Sequence, residues 1–216
     1  GNALVLIVSG SGTRTAEAYD GDPAGAPELH VEYGGGGGGA GGGGTFRDEF
    51  NTAESYAGSD GTLTWATPWL EINESDGPAS GDELLRNVPA IGRVLRVRDN
   101  DGGGDGVQRE ADLSGHTSST LSFLYWRGGL DNASDYVTVD VSSNGGSSWT
   151  EVGRITGPGS EADPEEEDPP EAPARTATFD ISAFIAPHTR IRFLTSPNMG
   201  GADFVYFDDV EITIGN

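Results

Sequence analysis

Four acidic residues stand near the two ends of the strand-rich part of this chain. Asp48 and Glu49 lie in "FRDEF", and Asp208 and Asp209 lie in "FDDVEI". Paired carboxylates are hard oxygen donors, the ligands Ca²⁺ takes in shells of about six to eight oxygens. A second acidic stretch, "RDNDGGGDGVQRE" at 98–110, places Asp99, Asp101 and Glu110 at positions one, three and twelve, with Gly104 at six. That spacing is close to a helix-flanked calcium loop, but strand-like sequence flanks this one, so it reads as a Gly/Asp hairpin turn. The aromatic residues suggest different chemistry. Trp65, Trp69, Trp126 and Trp149 have faces able to stack on pyranose rings, although aromatic residues in a sandwich more often fill the core. Trp69 and Tyr125 are the members expected to be exposed for ligand binding. Catalysis has little to work with. The three histidines, His30, His116 and His188, stand apart, there is no cysteine, and all 12 basic residues are arginine. No nucleophile elbow, zinc-protease motif or phosphate-loop lysine occurs, so the expectation is a protein that is not an enzyme.

Short strands broken by turn residues must position these groups. Period two dominates from residue 45 onward. In 93–99, Val94, Leu95 and Val97 mix with arginines. In 119–128, Leu121, Phe123 and Tyr125 share one face, while Leu124 and Trp126 share the other. At 136–155, Val137, Val139 and Val141 point one way, "SNGG" turns the chain, and Trp149 and Val152 return. Further strands are expected at 45–50, 61–74, 175–185, 189–196 and 203–214. Pro and Gly interrupt every helical pattern. Between two of these strands, "GPGSEADPEEEDPPEAPAR" (157–175) carries acids and prolines without a large apolar residue, which predicts a solvated insert.

The region before residue 45 differs in kind. Residues 34–44 are ten glycines and one alanine, which cannot build a core and read as a linker. Residues 1–33 predict only two strands, at 3–8 and 28–33, too few to stand alone in water. "SGSGTRTAEAYDGDPAGAPELHVEY" resembles the closing segment of DNRLRE-type, carbohydrate-binding-like β-sandwich modules, which implies that 1–33 are the terminal strands of an incomplete module. "ALVLIV" lacks the basic flank of a signal peptide. As an unpaired apolar strand, it would allow a homo-oligomer or fibre to grow by strand addition.

Residues 45–214 combine "FRDEF", "GTLTWATPWLEI", "READLSGHTSSTLSFLYW", "VDVSSNGGSSWTEV" and "FVYFDDVEI" in one order. This combination resembles the MAM-like jelly-roll domains of bacterial secreted and surface proteins. The resemblance implies an all-β fold, an antiparallel two-sheet jelly-roll β-sandwich spanning 45–216. It also implies first and last strands lying side by side, so that Asp48, Glu49, Asp208 and Asp209 converge on a structural Ca²⁺, with Glu49 and Asp209 the foremost ligands. Its functional implication is a non-catalytic extracellular module for adhesion or assembly, or else a carbohydrate-binding accessory domain of a secreted hydrolase.

Charge narrows the partners. With 35 acidic against 12 basic residues, the net charge is −23. Nucleic acid and anionic membranes need a basic footprint that is missing here. No run of apolar residues is long enough to span a bilayer. Glycans or other surface proteins remain as partners. An extracellular or cell-surface location in a bacterium or archaeon fits, as does a marine or halophilic source.

Overall fold

Alternating sequences form strands here because each residue pair puts one side chain into a shared core and one outside. The structure, a computed structural model, describes residues 43–51, 55–89, 91–100, 102, 104–161 and 173–216. The chain divides into two units, 1–35 and 36–216, and everything described belongs to the second. The expected strands at 3–8 and 28–33, most of the glycine run and the centre of the acidic insert lie outside the described residues.

Eleven strands are described: β1 (Gly44–Asp48), β2 (Leu70–Ile72), β3 (Leu84–Val88), β4 (Gly92–Arg98), β5 (Gly106–Ala111), β6 (Ser118–Gly128), β7 (Tyr136–Ser142), β8 (Thr150–Thr156), β9 (Arg175–Asp180), β10 (Thr189–Thr195) and β11 (Phe204–Gly215). They form two antiparallel sheets, as a jelly-roll β-sandwich requires. One sheet runs β3-β4-β11-β6-β9, with β1 also on β11, and the other runs β2-β5-β10-β7-β8. The two sheets close on a core that includes Leu95, Val97, Val107, Leu121, Phe123, Val139, Ile191, Phe193, Val205 and Phe207. Stacked Phe193 and Phe207 rings, 4.1 Å apart, join the sheets at the centre.

β11 organises the first sheet. Its first half pairs with β4, Phe204 to Phe207, and its second half pairs with β1, Val210 to Ile214, along the same edge. A bulge between Asp208 and Glu211 separates the halves, and Asp209 adopts a φ of 50° there. Such a bulge redirects the strand locally. The first and last strands therefore do lie side by side, with Asp48 opposite Val210.

Several elements differ from expectation. The strand expected over 61–74 shrinks to Leu70–Ile72, because Trp65 and Trp69 turn inward from a loop pinned by Ala66 N–H to Glu110 O and Trp69 N–H to Tyr56 O. β3 and β5 are strands the alternation does not reveal. β5 hides because its inward row is Val107, Arg109 and Ala111, with a charged residue in an apolar position. Consequently, β4 and β5 lie in different sheets and are not the two arms of a hairpin. Asp99 is buried and accepts Gly102 N–H and the Thr195 hydroxyl. After β9 the chain makes a short 3₁₀ turn, Ser182–Phe184, where the sequence predicts more strand. The β7–β8 hairpin forms as expected: Ser142 Oγ accepts the Gly146 N–H, and Gly145 and Gly146 take φ of 68° and 88° in its turn.

Candidate functional site

Period two decides where the acidic residues go. Along β1, Phe46 and Asp48 face inward while Arg47 faces out. Asp48 is fully buried and meets Arg109, which points inward from β5 of the other sheet. Arg109 Nη1 donates to Asp48 Oδ2 at 2.5 Å, Nη2 to Gly58 O at 2.6 Å and Nε to Thr67 O at 2.9 Å. Asp48 also accepts the Phe50 N–H at 2.9 Å and the Trp69 indole N–H at 3.1 Å. The guanidinium lies 4.7 Å from the Trp65 ring centre and 5.6 Å from that of Trp69. Burial raises the Asp48 pKa despite the attraction of Arg109, and lowers that of Arg109 to about 10. Asp48 is thus a buried clamp between the sheets.

The other three candidates lie toward the opposite side of β1. Arg47 reaches Asp209 at 2.8 Å, Glu49 at 3.0 Å and Glu211 at 4.0 Å. Asp208 sits at the bulge, where burial pushes its carboxyl up to about 7; the neighbouring Asp209 and Glu49 charges add to the rise. The expected four-carboxylate convergence is therefore split. Asp48 turns into the core, and an arginine already stands among the rest. Among the described residues, no group of three or more Asp, Glu or His side chains is placed to hold a metal ion.

The two residues expected to be exposed for ligand binding are not free platforms. Trp69 is 2 % exposed, stacked on Phe193 at 5.8 Å and bonded to Asp48. These tertiary contacts draw it inward. Tyr125 is half-buried at the inner rim of β6, edge-on to Phe123 at 6.2 Å. Trp65 and Trp126 are buried as well, so only Trp149 of the four tryptophans keeps part of its surface.

Trp149 belongs to a polar face on the outside of the second sheet. There β10 contributes Arg190 and Arg192, β7 contributes Tyr136, Thr138 and Asp140, and β5 contributes Gln108 and Glu110. Arg192 donates twice to Asp140 Oδ2, at 3.0 and 2.7 Å, and lies over the Trp149 ring at 4.2 Å. Arg154 lies over Tyr136 at 4.2 Å while holding Glu151 through two bonds of 2.6 Å. Arg190 bonds Glu110 at 2.7 Å, and His188 Nδ1 is 2.9 Å from the same carboxylate. Planar guanidiniums on rings fix both the aromatics and the hydrogen-bonding edges beside them. The result is a row of rings and bidentate polar groups on a rigid sheet, suited to a ligand that offers C–H faces and hydroxyls together. No motif marks this face in the sequence. Its only signal is that Arg190, Arg192, Thr138 and Asp140 occupy the outward positions of strands whose inward positions are apolar.

No family model matches the sequence, and no curated protein matches it. Solved structures do match in fold. The K2 cleaved adhesin domain of Lys-gingipain is 17 % identical with a TM-score of 0.51, over 80 % of this chain and 99 % of that one. The K1 cleaved adhesin domain of Lys-gingipain from Porphyromonas gingivalis W83 is 18 % identical with a TM-score of 0.47, over 78 % and 96 %. The Clostridium thermocellum endo-1,4-β-D-xylanase 10B CBM22-1–GH10 modules, complexed with xylohexaose, are 14 % identical with a TM-score of 0.48, over 80 % of this chain and 28 % of that one. At these identities the similarity is one of fold: this chain carries an antiparallel two-sheet β-sandwich.

Proposed function

We propose that residues 45–216 form a non-catalytic extracellular module, of the MAM-like kind, that contacts glycans through the outward face of the β2-β5-β10-β7-β8 sheet. The observation that supports this reading is the row of Trp149 under Arg192 and Tyr136 under Arg154, flanked by Asp140 and Gln108. Stacked aromatics provide sugar-ring contact, and the fixed charged edges provide donors and acceptors for hydroxyls. The fold shared with the K2 cleaved adhesin domain of Lys-gingipain supports a surface or accessory setting for such contact. Among the described residues, no helix is long and apolar enough to cross a membrane. A structural Ca²⁺ is part of the proposal, away from the β11 bulge, where Arg47 already pairs with Asp209.

The test is a glycan array followed by calorimetry on the oligosaccharides that bind. Trp149→Ala is expected to weaken binding about tenfold, equivalent to about 1.4 kcal/mol, while leaving the melting temperature nearly unchanged. Absence of binding to any glycan, or binding unaffected by both Trp149→Ala and Tyr136→Ala, refutes the assignment.

A further inference from the structure

Glu83, just before β3, is 0 % exposed, and neither of its carboxyl oxygens meets a hydrogen-bond donor. A carboxyl group buried in this way is one of the costlier things a fold can carry. Its surroundings add negative charge. The Glu74 carboxylate lies close enough to accept the backbone N–H of Glu83, and the charges of Asp105 and Asp82 act on the Glu83 carboxyl as well. Glu74 already accepts the backbone N–H groups of Asp82, at 2.9 Å, and Glu83, at 3.3 Å. Glu71 accepts the Tyr56 hydroxyl and the Gly77 N–H.

The loop between β2 and β3 is shaped around these groups. Gly81 has a φ of 86°, and a Cβ placed there would stand 2.5 Å from both Glu74 Oε2 and Asp76 Oδ1. Only glycine lets those carboxylates approach the turn so closely. The nearby arginines are engaged elsewhere: Arg98 pairs with Asp82 at 2.7 Å, and Arg96 bonds the carbonyls of Gly81 and Asp82. Beside Glu74 a cleft of about 290 Å³ opens past Tyr56, Trp69, Leu70 and Ser75.

We propose that Glu83 and Glu74 together hold a divalent cation of the calcium type at the inner end of this cleft. A proton shared between the two carboxyls would engage one Glu83 oxygen and leave the other bare. A cation takes electron pairs from both. The donors are all oxygen, which selects a hard ion over zinc or copper. Two carboxylates supply up to about four oxygens, and water in the cleft completes the shell. The site is separate from the β11 bulge and does not depend on the glycan reading.

The experiment uses the full chain after chelation. Melting curves are recorded with and without added Ca²⁺ at constant ionic strength, and Tb³⁺ luminescence is excited through the Trp69 that lines the cleft. Wild type is expected to melt higher with Ca²⁺ and to show sensitised Tb³⁺ emission that Ca²⁺ displaces. Glu83→Gln is expected to abolish the Ca²⁺-dependent rise and to weaken Tb³⁺ binding by more than the about 10–100-fold that losing an outer-sphere partner costs. The Asp208→Asn, Asp209→Asn variant is expected to keep both signals. Glu74→Gln, at a half-exposed position, carries the same expectation if Glu83→Gln does not fold. Three results overturn the inference: no Ca²⁺ response in wild type, a response that survives both glutamine substitutions, or one lost only in the Asp208 and Asp209 variant. The last would place the ion at the bulge.

Discussion

Replacing Arg109 by methionine should be among the most damaging single changes to this fold. The side chain is 1 % exposed, as is that of its partner Asp48. Methionine keeps much of the packing against Trp65 and Trp69 but removes the charge and three hydrogen bonds. It leaves the Asp48 carboxylate buried with only the Phe50 and Trp69 N–H groups. It also strands the carbonyls of Gly58 and Thr67. Breaking one half of a buried pair costs about 3–5 kcal/mol. For a domain of this size, that lowers the melting temperature by about 6–20 °C. Asp48→Asn should cost a similar amount, because it leaves the guanidinium unpaired. The double variant has no orphan charge and should cost about as much as either single change, giving a coupling energy of about 3–5 kcal/mol. Urea denaturation followed by circular dichroism measures all four corners of the cycle, with a constant slope confirming comparable unfolded states. A cost below about 1 kcal/mol for Arg109→Met, or additive single costs, would show that the pair does not clamp the sheets.

Two further predictions concern other sites. Gly128 lies beneath the Phe204 ring, directly across from it in the sheet, and a Cβ there would collide with the ring; Gly128→Ala should cost about 1–3 kcal/mol by overpacking, read as a lower urea midpoint, and an unchanged midpoint would mean the ring is free to move. Glu161, 7 % exposed, binds Arg127 and Arg175, and these contacts, Arg127 first, hold its carboxyl down at about 2. Because its folded pKa lies below the unfolded value of 4.5, its contribution is complete above that value and is lost as pH falls through about 2. Glu161→Gln should therefore cost about 2–3 kcal/mol near neutrality and progressively less toward pH 2, measured as the difference from wild type in urea midpoints; a pH-independent difference would contradict the ion-pair account.

Glu161 also shows where reading by composition stops. It lies within a segment, 157–175, expected to be solvated, yet it is buried, because Arg127 on β6 and Arg175 on β9 converge on it. The β6 pattern shows the opposite case. Leu121 and Phe123 enter the main core, while Leu124 and Trp126 pack with Val94, Phe204 and Tyr206 on the outer side, as alternation alone indicates. The outward binding face lies between these cases. Its strand positions follow from alternation, but the pairing of Arg192 with Trp149 depends on β10 lying beside β7.

Period-two alternation and Gly-rich turns were enough to indicate an all-β sandwich and the β7–β8 hairpin, while the adjacency of the first and last strands was implied by the resemblance to jelly-roll domains. Those features are local, or follow from a fold whose rules each strand carries in its own pattern. The tertiary structure decided the fate of the charged and aromatic residues. Asp48 and Arg109 are 61 residues apart, and each is tolerable inside only because the other is there. Glu83 is buried close to Glu74, which accepts its backbone N–H. Trp69 and Trp149 differ in exposure through what packs on them, not through their neighbours in sequence. Burial of a polar group is a property of its distant partners, and only the folded chain brings those partners together.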